Sequence, residues 1–132
     1  MIPVIFINCR KVPFLRWILS GGKKYETRTK NTLERFIGKQ VLLAETGNGK
    51  PMIRCLATIT DVIDVRSQEE WDFLQEEHCV PIDSEYYWKP GLTSVKWLYK
   101  LEDVRPVDPF RLSSSARRHG RIWAECTQEF SA

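Results

Sequence analysis

A chain of 132 residues, 42% hydrophobic and 28% charged, fits a single domain built on one core and excludes both a disordered polyelectrolyte and a chain needing staples to fold. No apolar run approaches the roughly 18 residues of a membrane span, and Met1–Phe6 lacks the charged start of a signal segment, so a cytoplasmic location is expected. The net charge of +3 is unevenly spread: residues 1–40 hold nine basic and two acidic residues, 9 − 2 = +7, and the remainder 11 − 15 = −4. That asymmetry turns the first third toward an anionic partner, or leaves it a solvated basic face.

Val4–Asn8 is a short apolar run that predicts a buried strand. Pro13 suits a first helical turn, and Phe14, Trp17 and Ile18 follow at i, i+3, i+4 spacing, widened by Leu15 and Leu19. Gly21 and Gly22 end that helix. Lys24–Thr29 alternates as a strand, Gln40–Glu45 is a buried strand, and the turn at 47–51 joins it to a long β-rich run over Met52–Val65. Ser67-Gln68-Glu69-Glu70 is a capping-box signature opening a short acidic helix with Trp71 and Leu74 on its buried side. His78–Gly91 is irregular and aromatic-rich. Val95–Leu101 is a strand continued by Val104 and broken by Pro106 and Pro109; residues 113–120 form a polar loop, and Arg121–Cys126 is the last strand.

About six strands with two helices, not in regular alternation, argue for an α+β fold: a mostly antiparallel curled sheet or β-barrel with flanking helices, as one domain over 1–132. Cys9, Cys55, Cys79 and Cys126 are widely spaced without a CxxC pair, so free thiols are expected, mostly buried. No metal and no cofactor is expected. His78-Cys79 is the one close pair of good ligands, and adjacent side chains of an extended segment point apart.

The segment richest in chemistry is Leu19–Arg28. Its glycines allow a sharp turn and close approach of a ligand. In an extended chain Lys23, Tyr25 and Thr27 share one face, and Lys24, Glu26 and Arg28 the other. A carboxylate beside an arginine on one face can hold the guanidinium in place to recognise a phosphate or carbonyl, or be an ordinary surface ion pair. Arg10 and Lys11, at the turn into the first helix, and Arg117 and Arg118, in the Ser-rich loop, are further candidates for phosphate contact. Tyr86-Tyr87-Trp88-Lys89-Pro90 is a candidate stacking platform for an unpaired base, or the cover of a barrel end.

The run ILSGGKKYETRT, preceded by VPFLRW, resembles the opening motif of ASCH domains in the PUA-like superfamily, with Gly21, Lys23, Tyr25, Glu26 and Arg28 at its G-x-K-x-[aromatic or aliphatic]-E-x-R positions. The order of later features, from Val41–Ala44 to Gly120-Arg121-Ile122-Trp123, is similar too. The resemblance implies a small PUA-like pseudo-barrel with a cleft lined by the Lys/Glu/Arg segment, binding RNA or a nucleotide or nucleoside. It also implies an alternative, since a small bacterial branch hydrolyses the amide of N4-acetylcytidine. There Lys23, Glu26 and Arg28 would be the catalytic set, although that branch has a Thr at the position of Glu26 and a separate distal Glu. Glu76, Glu77 and Glu85 are the candidates for the latter. A protein-interaction domain using the aromatic loop around Tyr87 is a third reading.

Overall fold

The computed structural model describes residues 1–89, 91 and 93–132. In chain order it contains β1 (Ile2–Asn8), α1 (Phe14–Leu19), β2 (Tyr25–Arg28), a 3₁₀ turn (Glu34–Phe36), β3 (Lys39–Thr46), β4 (Met52–Val65), α2 (Gln68–Phe73), α3 (Gln75–His78), β5 (Lys96–Arg111), β6 (Arg118–His119) and β7 (Trp123–Cys126). None of the described helices is long and apolar enough to cross a membrane.

The strands form one mixed sheet in the order β2-β5-β4-β3-β1-β7-β6. Strand β1 runs parallel to β3; the other pairings are antiparallel. The α+β expectation holds, but the expected barrel does not close. The sheet ends in β2, four residues long, and β6, two residues long, each pairing on one side only. Strands that short cannot carry a continuous ladder around to the far edge.

Both faces of the sheet are buried, and strict alternation sorts the side chains between them. Ile5 and Ile7 of β1 and Val41 and Leu43 of β3 enter a core with α1, Trp71, Trp88 and Leu98. Val4, Phe6, Leu42 and Ala44 enter a second core with Ile53, Val107 and Leu112. A near-continuous apolar run such as Val4–Ile7 is what burial on two faces requires. Helix α1 buries Phe14, Leu15 and Ile18 and ends at Gly21, whose φ of +87° costs little without a Cβ.

Two expectations need correction. The strand expected to break at Pro106 runs on through it to Arg111, because β4 and β5 are offset by register shifts beside Cys55, where Pro106 pairs. Proline is tolerated in a strand at such irregularities. The single acidic helix is two short ones: Ser67 caps α2 by accepting from the Glu70 N–H at 3.1 Å, and α3 ends at Cys79, held in the left-handed conformation at φ 59°. His78 therefore closes a helix and does not lie in an extended segment. All four cysteines are free; Cys9, Cys55 and Cys126 are buried and Cys79 is half-buried.

Candidate functional site

Strand β7 pairs with β1 only over Ile2–Ile5. Beyond that, the Phe6 N–H still donates to the Ile122 carbonyl at 3.1 Å, but the Phe6 carbonyl accepts instead from Arg28 Nη2 at 2.8 Å. The guanidinium thus bridges from edge strand β2 to the half of β1 that β7 leaves uncovered. A cavity of about 550 Å³ opens there, lined by Phe6, Ile7 and Asn8 of β1, Phe14, residues 26–29, Tyr86, Lys96, Arg118 and Arg121 among others. That volume lies in the range of small-ligand clefts, roughly 300–1,000 Å³.

Glu26 and Arg28 meet as the alternation of the strand dictates. Glu26 is 7% exposed; its Oε1 accepts from the Thr27 N–H at 2.9 Å, and its Oε2 lies 3.4 Å from Arg28 Nη2. Arg28 Nε is buried and has no hydrogen-bond partner among the described residues. A buried donor left open costs roughly 1–3 kcal/mol, unless a ligand fills it.

Lys23 shares the buried side with Tyr25, as alternation predicts, but lies just ahead of the regular strand. Regular strand starts only at Tyr25, because the preceding loop is pinned elsewhere: Lys23 N–H donates to the Trp17 carbonyl and Lys24 N–H to the Glu77 carbonyl. Lys23 therefore turns inward and is 2% exposed, while Lys24 is exposed. Its Nζ donates to the His78 carbonyl at 2.5 Å and sits 4.7 Å from the centroid of the Phe14 ring. Burial pulls its pKa down to about 8, opposed first by attraction to Glu26. Lys23 does not line the cavity; it lies behind Phe14.

A residue outside the candidate set completes the group. Lys96, the first residue of β5, lines the cavity and is 6% exposed, without a hydrogen bond or ion pair among the described residues. Burial lowers its pKa, with Glu26 pulling it back up and Arg28 pushing it further down. Its Nζ is 5.8 Å from the centroid of the Trp71 ring. In sequence it is one lysine in an amphipathic strand, 68 positions from Arg28 (96 − 28), so only the fold unites them.

The remaining candidates divide. Arg118 and Arg121 line the cavity mouth, and the Arg118 guanidinium lies 5.7 Å from the Phe6 ring centroid. Arg117 is on the other side, with Nε 3.5 Å from Glu125, where His119 also pairs at 2.7 Å. Arg10 and Lys11 do not line the cavity. Arg10 is exposed, and Lys11 pairs with Glu85 at 3.2 Å beside a second cleft of about 520 Å³. Gly21 is an exposed helix stop, and Tyr25 is a core ring, 7% exposed. Neither touches the cavity. Nor do Glu76, Glu77 or Glu85, so Glu26 is the one carboxylate lining it among the described residues.

The stacking platform is dismantled by packing. Trp88 is buried with its Nε1 donating to Thr93, and Tyr87 leans edge-on against Trp71 and donates to Asp72. Tyr86 alone faces the cavity, edge-on to Phe14 at 5.5 Å. Pro90 lies outside the described residues. His78 is a structural group: its Nδ1 accepts from Val80 N–H, its Nε2 faces the Trp71 carbonyl at 2.9 Å, and its ring stacks on Trp71 at 3.8 Å. No group of three metal-ligating side chains occurs among the described residues.

An open mixed sheet flanked by short helices, with a cationic, aromatic-walled cleft at its gap, defines a small α+β domain. More particularly, the chain has the ASCH-domain fold. It is similar to a crystal structure of ASCH from Zymomonas mobilis, with a TM-score of 0.67 and 20% identity, covering 83% of this chain and 73% of that one. A serine-to-alanine variant of the same Zymomonas mobilis protein gives 0.67 at 19% identity over 83% and 72%, and a tyrosine-to-phenylalanine variant 0.59 at 20% over 83% and 75%. No family model and no curated protein matches the chain.

Proposed function

We propose that the cleft binds RNA or a nucleotide. One observation carries this reading: a single cavity is lined by Lys96, which has no ion pair among the described residues, and by Arg28 with its open Nε, together with the rings of Phe14 and Tyr86. Buried cations with donors to spare suit phosphate, and aromatic walls suit a base. Arg118 and Arg121 extend the positive charge to the rim. The test is titration of single-stranded RNA and of the four nucleoside monophosphates, followed by intrinsic fluorescence at several salt concentrations. RNA affinity should fall with salt with a logarithmic slope of about −0.7 per phosphate contacted. Salt-insensitive binding, or none to any of these, overturns the proposal.

Hydrolysis of N4-acetylcytidine is a second reading, supported by the lowered pKa of Lys23, which leaves roughly a tenth of it as free amine at pH 7. Its Nζ is committed to the His78 carbonyl, and a ligand would have to displace Phe14 to reach it. Release of cytidine that disappears in Lys23→Ala would support this reading; no release would dispose of it.

A further inference from the structure

We infer that the ligand this cleft takes is a phosphomonoester, a nucleoside monophosphate or a phosphorylated RNA end, in preference to an internal phosphodiester. The inference rests on the nucleotide-binding reading and narrows it. It begins from a charge count at the buried end of the site. On the cavity wall Arg28 and Lys96 bring two positive charges against the one negative charge of Glu26, and Lys23, behind the Phe14 ring and within electrostatic reach of all three, adds a third positive charge, 3 − 1 = +2. Lys23, Glu26 and Lys96 are each at least nine-tenths buried, and the Arg28 side chain is 21% exposed. Net charge held that far from water is costly, and the cost disappears when a counter-charge of equal size enters. A phosphomonoester carries about −1.5 to −2 at pH 7, which matches the excess. An internal phosphodiester carries a single negative charge and leaves half the excess uncompensated.

The open hydrogen-bond donors agree with the count. Arg28 offers a buried Nε–H without a partner among the described residues, and Lys96, whose Nζ faces the Trp71 ring at 5.8 Å, offers up to three N–H groups. A monoester presents three terminal oxygens to such a set, and a diester two. The exposed Arg118 and Arg121 at the mouth do not alter this, because their charge is screened by solvent and they are met only by whatever part of the ligand protrudes.

The test is calorimetric titration of the full chain at constant ionic strength and pH 7.5, with methyl phosphate against dimethyl phosphate. A second series compares AMP with adenosine and with the dinucleoside monophosphate ApA, and a third a 5′-phosphorylated with a 5′-hydroxyl RNA hexamer. Monoesters should bind tighter than the matching diesters by about tenfold or more. Lys96→Met should erase that ratio, and Lys96→Arg should retain most of it, with far-UV circular dichroism confirming that each variant is folded. A phosphorylated hexamer well above AMP identifies an RNA end as the source, and equal affinities identify the free nucleotide. If ApA and the 5′-hydroxyl hexamer bind as tightly as their phosphorylated counterparts, the inference falls while the nucleotide reading stands. If no phosphate compound binds, both fall.

Discussion

Lowering the pH below about 6.5 should loosen this protein through His78. The ring is fully buried, with Nδ1 accepting from the Val80 N–H at 3.0 Å, which leaves the proton on Nε2 facing the Trp71 carbonyl. A second proton at Nδ1 would point at the Val80 N–H and place an unpaired charge in the core. Burial accordingly drives the pKa from 6.5 to about 4, opposed first by the hydrogen bond to the Trp71 carbonyl, with Lys23 adding repulsion, Asp72 a smaller attraction and Lys96 a smaller repulsion again. The unfolded chain binds the proton and the folded chain does not, so stability is complete above pH 6.5 and is lost as pH falls toward 4. The shift of some 2.5 units corresponds to about 3 kcal/mol in all, of which roughly 2 kcal/mol is lost by pH 5. Urea unfolding at pH 7.5 and pH 5.0 measures it. His78→Phe keeps a ring against Trp71 and should be less stable at pH 7.5, yet its stability should change far less between the two pH values. His119 is present in both proteins and its contribution cancels. A wild-type stability unchanged between pH 7.5 and 5.0 refutes the reasoning, as does an NMR titration showing His78 protonated at pH 5.5. The consequence reaches the site, since the His78 carbonyl is what holds Lys23 Nζ.

At the alkaline end Lys23 acts with the same sign. Its folded pKa of about 8 lies below the unfolded 10.5, so stability should rise between pH 8 and 10.5, by about 3 kcal/mol at most. Lys23→Met should remove that rise in urea unfolding. Gly47→Ala should cost about 1–3 kcal/mol: Gly47 has φ +91°, and an added Cβ would lie 2.9 Å from both Arg10 Cβ and Asn8 Oδ1. The same substitution at Gly49, where φ is also +91° but nothing stands within 4 Å, carries only the backbone part of that penalty. Equal melting temperatures for the wild type and Gly47→Ala would show that the β3–β4 turn relaxes freely.

Local rules carried the segment from Phe14 to Arg28 a long way. The apolar i, i+3, i+4 stripe, the glycine stop and the paired Glu26 and Arg28 all depend on neighbours within a few residues, and all are present. Lys23 stands out in the sequence by its place in the motif, but nothing local says that a lysine there is buried, because the acceptor that receives its ammonium is the carbonyl of His78, 55 positions on. Lys96 was illegible for the opposite reason: its own surroundings, Val95 and Trp97, mark nothing more than a strand. Between Arg117 and Arg118 the choice is a matter of phase, since the chain entering β6 turns Arg117 toward Glu125 and Arg118 toward Phe6. The aromatic run at Tyr86–Trp88 looked like a platform because three rings cluster in sequence, yet Trp71 claims two of them.

The open sheet and the buried charges have one cause. A strand edge that pairs completely has no N–H or C=O to spare, and a closed barrel would have spent the Phe6 carbonyl and the whole of β2 on each other. Here β7 stops at Ile5 of β1, so the Phe6 carbonyl needs a donor and finds it in Arg28, 2.8 Å away. That contact draws a guanidinium into the gap, where Glu26 alone cannot neutralise both it and the lysines on either side. A β7 three residues longer would pair Phe6 through Asn8, release Arg28 and close the gap. The short strand is therefore what converts an arginine at a sheet edge into a cation facing a hollow.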